Sequence, residues 1–205
     1  MWGSELSDAD LFPSNHSWPA LLADHLCMPY QCLAHPGCGN LQVAEQILNH
    51  VAAEPAFFVI NWTYIDRFDY ANPNNDKWST LRPGAKDSLA EHYYRNLHSQ
   101  YKDKLTTLMH IKLCVDAMLK AGHEFRMTYM DHLILETQWH ISPAVTSLQE
   151  CIRPHLLQFD QRNMLEYSHD RGHAVGHLQH PLEAAHKDLF QYALTNFAIH
   201  KVKTA

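Results

Sequence analysis

The sequence predicts an α/β protein: three layers, α/β/α, around a central, mostly parallel sheet. Three observations carry this. The run AFFVINWTY (56–64) is apolar and β-favouring, has no helical spacing and is too short for a buried helix, so it reads as a mid-sheet strand. Segments with helical spacing and clear start and stop signals stand on both sides of it. Strand-like and helical segments then alternate along the chain, which is the pattern of crossover connections between parallel strands. At 205 residues one domain over 1–205 with one core is expected.

The elements follow in order. Ser17 caps a first helix with Pro19 in its first turn and Leu21, Leu22, His25 and Leu26 on one face. YQCLAH (30–35) reads as a short strand. Asn40 caps the next helix, where Leu41, Ala44, Ile47, Leu48 and Val51 recur at helical spacing until Glu54-Pro55 ends it. Residues 66–86, with Asn72-Pro73-Asn74-Asn75 and Arg82-Pro83-Gly84, read as an irregular excursion able to act as a lid. Ser88-x-x-Glu91 reads as a capping box for a long helix closing at Gly122, with Leu97, Tyr101, Leu105, Leu108, Val115 and Leu119 on or near its apolar face; at about 1.5 Å per residue that length calls for a bend or break. EFRMTYMD (124–131) is a further strand. Ser142-Pro143 opens another helix, which Pro154 kinks or ends. Pro181 and Glu183 suit the first turn of a last helix striped by Leu182, Ala185, Leu189, Phe190, Ala193 and Phe197, which puts His180 at its cap.

Composition narrows the function classes. Apolar residues are 46% and charged residues 19%, ordinary for a globular chain. A net charge of −6 gives no broad cationic surface, so nucleic acid is not an expected partner. No apolar stretch approaches the length of a membrane span, and the start MWGSELSDAD has no signal-peptide pattern. Five cysteines (27, 32, 38, 114, 151) with no CxxC pair argue for a reducing compartment, so a cytoplasmic protein is expected and the sequons at Asn15 and Asn61 are chance matches. Phosphate-loop and dinucleotide patterns are absent.

In open α/β sheets, ligands bind beyond the carboxyl ends of the strands. The segments expected there are GSELSD, HPGCGN, TYIDRFDY and YMDHLILE, with the stretch before the last helix. Asp66, Arg67 and Asp69, with Tyr64 and Tyr70, form a polar and aromatic cluster past the central strand, read as substrate contacts or as an ion pair that holds the loop. His169, His173 and His177 recur every four residues; on a helix they would face one way and suit zinc, although Gly172 and Gly176 oppose a helix there. They are a weaker alternative to a site without metal.

Taken in chain order, Gly3-Ser4-Glu5-Leu6-Ser7, Gly37-Cys38-Gly39-Asn40, Trp62-Thr63-Tyr64-Ile65 and His177-Leu178-Gln179-His180-Pro181 resemble the four motif blocks of the SGNH (GDSL-like) hydrolase superfamily, whose fold is flavodoxin-like. The stretches SWPALLADHL, CLAHPGCGN, FFVINWTYIDRFDY and HPLEAAH also look like a branch of it found among phage proteins, which carries no assigned activity. The resemblance implies a serine esterase or deacylase acting on a small or carbohydrate-linked ester without a cofactor. Ser4 would attack, His180 would act as base, and Gly39 N–H with Asn40 or Tyr64, or Asn61 nearby, would hold the oxyanion. It also implies a bacterial or phage-infected host cell, or a virion, as the setting. Three positions depart from the family pattern. Glu5 stands at the nucleophile position unless the register shifts by one to Ser4, His177 replaces the aspartate that orients the base, and Tyr64 replaces an asparagine. Asp170 is a substitute carboxylate. The same departures give the competing expectation, a catalytically inactive binding or structural protein of this fold, associated with phage.

Overall fold

A computed structural model describes residues 15–199. It is an α/β structure in two compact units, one formed by Gly37–Leu156 and the other by the flanking chain on either side.

In the Gly37–Leu156 unit, strands β1 (Phe57–Trp62) and β4 (Glu124–Tyr129) pair in parallel, Phe57 opposite Glu124 and Trp62 opposite Tyr129. A two-residue strand, β5 (Leu156–Leu157), completes a sheet of order β1-β4-β5. The sheet is smaller than expected, and β1, expected mid-sheet, lies at its edge with β4 in the middle. Among the described residues the stretch 30–35 belongs to no strand, and the coarse α/β class stands with a three-stranded sheet rather than a clear three-layer one. Helices α2 (Asn40–His50), α4 (Gln100–Ala121) and α5 (Pro143–Ile152) supply the rest of the core, with α4 packed against the other two. Trp62, Leu108, Ile111, Met118, Met127, Ile134, Val145 and Ile152 are completely buried there, each contributing roughly 2–3 kcal/mol by leaving water.

The expected long helix is broken. α3 (Ser88–Asn96) ends at Leu97, and Ser99 caps α4 by accepting from Lys102 N–H. Asp87, not Ser88, caps α3: its carboxylate accepts from Ala90 N–H at 2.8 Å, and a charged acceptor suits a helix N-terminus better than a hydroxyl. The buried face of α4 is the expected one in part, at Leu105, Leu108 and Val115. Leu97, Tyr101 and Leu119 are exposed, and Lys104, Leu108, Ile111, Val115 and Met118 face the core. Gly122 closes α4 at φ 74, and Ser142 caps α5 as expected. Asn40 is the first residue of α2, with Gly39 as its cap.

Residues 66–86 are regular. β2 (Phe68–Ala71) and β3 (Trp78–Leu81) form an antiparallel hairpin, Phe68 opposite Leu81. It is pinned to α2 by Asp69 and by Trp78, whose indole N–H donates to Glu45. Leu81 packs with Ala90 and Tyr93 of α3, and Phe68 stacks on Tyr93 at 4.4 Å.

In the other unit, α1 (Trp18–His25) packs on α7 (Glu183–Asn196), with α6 (Met164–Asp170) preceding α7. Trp18, Phe159, Tyr167 and Phe197 form a buried aromatic cluster with edge contacts such as Trp18–Phe159 at 5.7 Å. α7 begins two residues later than the sequence suggests. Gln179 takes a left-handed conformation (φ 62), and Val175 bridges to Pro181, so residues 174–182 close into a loop before Leu182 caps the helix. No helix among the described residues is long and apolar enough to cross a membrane.

Candidate functional site

The carboxyl ends of β1 and β4 are side by side, and the loops leaving them are bound to one another. Asp131 accepts from Ile65 N–H at 3.0 Å and from Leu133 N–H at 3.0 Å, which ties the loop after β1 to the loop after β4. Asn40 does the same for the start of α2: its carboxamide accepts from Thr63 N–H at 2.9 Å and donates to Thr63 O and Thr107. Asn61 accepts from the Thr128 hydroxyl at 2.9 Å.

Gly39 is equally committed. Its N–H donates to Asp69 Oδ1 at 2.8 Å, and Asp69 also accepts from Gln42 N–H, the Gln42 carboxamide and the Thr80 hydroxyl. Asp69 is 7% exposed, a carboxylate seated on the N-terminus of α2 where the helix dipole favours it. The close approach explains the glycine. A Cβ at Gly39 would stand 2.6 Å from Asp69 and 2.8 Å from the Arg67 carbonyl oxygen.

Arg67 donates to the Cys38 carbonyl at 3.1 Å and lies over the Tyr64 ring, 5.3 Å from its centroid. Burial pushes the Arg67 guanidinium below its ordinary range, with the Arg82 charge adding to this and the Cys38, Tyr64 and Asp66 groups opposing it. Arg82, exposed at the end of β3, comes to the same loop: a Cβ at Gly37 would be 3.2 Å from one of its nitrogens. Asp66 is half-buried, and its carboxyl is pushed up by burial first, then by Asp131.

Beyond β4 the chain is stapled from below. Lys104, 1% exposed, donates to the carbonyls of Glu136 at 2.6 Å and Trp139 at 2.9 Å, and lies 3.9 Å from the Glu136 carboxylate. Burial lowers the Lys104 pKa, with Glu136 and Asp131 opposing. Gln149 donates to the carbonyls of Ile134 and Glu136.

The histidines of the other unit do not share a helix face. α6 ends at Asp170, Gly172 turns left-handed at φ 71, and His173 leaves the helix to pair with Asp188 at 2.9 Å. His169 and His177 are exposed, and no group of three His, Cys, Asp or Glu among the described residues has a metal-holding arrangement. The zinc alternative built on helical spacing therefore lacks its geometry. Asp170 pairs with Arg162. His180 is half-buried in the loop before α7, where its carbonyl accepts from Gly176 N–H at 2.8 Å. Ser4 and Glu5 lie outside the described residues.

Three residues were not singled out from the sequence. His186 is fully buried, accepts from Trp18 N–H at 3.2 Å, and is pushed down to about 4 chiefly by burial. Lys104 is legible in retrospect, as it begins the 104-108-111-115-118 series that faces the core. Arg82 had no signal, because only the hairpin pairing brings it beside Gly37.

The chain matches no family model, and the searches of curated proteins and of solved structures find no match either.

Proposed function

We propose that this chain is an α/β protein of SGNH-like type whose loop donors serve the fold, and that it acts as a phage-associated binding protein without esterase activity. One observation carries the reading. The Gly39 N–H and the Asn40 carboxamide, two of the groups the resemblance assigns to an oxyanion, are spent on Asp69, Thr63 and Thr107. A preorganised oxyanion hole needs donors aimed at empty space where charge develops. Here re-aiming Gly39 would strip a buried carboxylate of one of its donors, at a cost of about 1–3 kcal/mol. What remains at the strand ends is Tyr64 at 37% exposure with Arg67 over its ring, a surface suited to holding a small ligand.

A second reading keeps the esterase, with Ser4 as nucleophile, His180 as base and a small or glycan-linked ester as substrate. Its support is the placement of His180 in a closed loop two residues ahead of the α7 cap. Hydrolysis of short-chain p-nitrophenyl esters separates the two. The binding reading expects wild type, Ser4→Ala and His180→Ala to match the uncatalysed rate; loss of a real wild-type rate in either variant overturns it.

A further inference from the structure

We propose that Arg67 and Arg82 form a clamp for a phosphate monoester, presented by a soluble small molecule, against the Gly37–Gly39 loop. This names the ligand class of the binding site read above and rests on that reading. Two guanidiniums from different elements converge on one short loop: Arg67, from the segment after β1, on the Cys38 carbonyl, and Arg82, from the end of β3, over Gly37. Among the described residues neither has a carboxylate within ion-pair distance. Asp66 is the carboxylate that acts on Arg67, and burial raises its own pKa, while Asp69 is occupied by Gly39, Gln42 and Thr80. Burial first, and the Arg82 charge with it, disfavour the half-buried Arg67 cation against the opposing Cys38, Tyr64 and Asp66 groups, and an anion held between the two guanidiniums would offset that repulsion.

The chemistry of the anion follows from the count. Two cations match a doubly charged group, and guanidinium forks bond phosphate oxygens bidentately. Glycine at 37, at φ 73, keeps the loop open to the Arg82 guanidinium. A net charge of −6 repels a long polyanion, so a small ligand fits better than nucleic acid.

The probe is phenyl phosphate, followed by amide chemical shifts of the labelled full chain at about 50 mM salt, where screening is modest. Saturable shifts at residues 37–39 are expected. Arg82→Gln should weaken binding about tenfold, as the loss of one charge-assisted contact implies. Arg153→Gln, the same charge change at an exposed guanidinium elsewhere, should alter it less than about twofold. Equal losses in both variants, equally tight binding of benzoate, or no saturation by about 10 mM would overturn the clamp. Arg82-dependent sedimentation with vesicles containing phosphatidic acid, without phenyl phosphate binding, would overturn the soluble ligand. Because the titration needs no turnover, Ser4-dependent ester hydrolysis beside intact Arg82-dependent binding would sink the non-catalytic reading alone.

Discussion

Asp69, a hairpin residue, accepts the Gly39 N–H at 2.8 Å and so caps a helix thirty positions earlier in the chain. The contact joins hairpin to helix and fixes what the 37–40 loop is able to offer a ligand. Asp69→Ala leaves several donors without their acceptor and should destabilise the protein by about 2–3 kcal/mol. Gly39→Ala forces apart a glycine, a carboxylate and a carbonyl, and should cost at least about 2 kcal/mol. Because both act on one contact, urea denaturation of the double variant should show less than the sum of the two.

His186 gives the flanking unit an acid dependence. Its folded-state pKa, pushed to about 4, lies below the ordinary histidine value of 6.5, so the unfolded chain takes up the proton first. Stability should therefore fall as pH drops from about 6.5 towards 4, by at most about 3 kcal/mol for this group. His186→Asn keeps an acceptor for Trp18 N–H without titrating. Thermal melts between pH 7 and 4.5 should show a shallower decline for this variant than for wild type.

Asp66 has the opposite sign. Burial and the Asp131 charge raise its carboxyl pKa, so the folded state holds that proton more tightly than the unfolded one. Its contribution is most favourable below its unfolded value and is lost as pH rises through the raised folded value. Asp66→Asn should then raise the melting temperature at pH 7, and the gain should vanish towards pH 4.

Lys104 holds the loop after β4 by partly buried hydrogen bonds to two carbonyls. Lys104→Met preserves the buried stem but leaves those carbonyls short of a donor, a loss of about 1–3 kcal/mol concentrated in one loop. Hydrogen exchange should speed up for residues 134–142 more than for β1.

How much of this was legible depended on the range of the interactions. The strand at 57–62, the α5 cap at Ser142 and the need for a break in the long helix follow from local chemistry, but the strand lies at the edge of its sheet, because sheet position is set by partners far along the chain. The buried face of α4 was legible at Leu105, Leu108 and Val115 but not at its limits, because Leu97, Tyr101 and Leu119 are apolar yet exposed, while the aliphatic stem of Lys104 is inside. YQCLAH has strand composition but is part of no strand among the described residues, and pairing is not a local property. Asp69 and Arg67 were visible as a polar cluster; that one caps α2 and the other covers Tyr64 required the hairpin to fold back. The resemblance gives the Gly39 N–H to an oxyanion, yet the group that takes it, Asp69, is supplied from within the chain.

The most direct test of a non-catalytic site is the intact mass of the purified chain after exposure to a serine-reactive fluorophosphonate. The expected result is an unchanged mass in wild type and in Ser4→Ala. A stoichiometric adduct on wild type that maps to Ser4 and disappears in Ser4→Ala would contradict it.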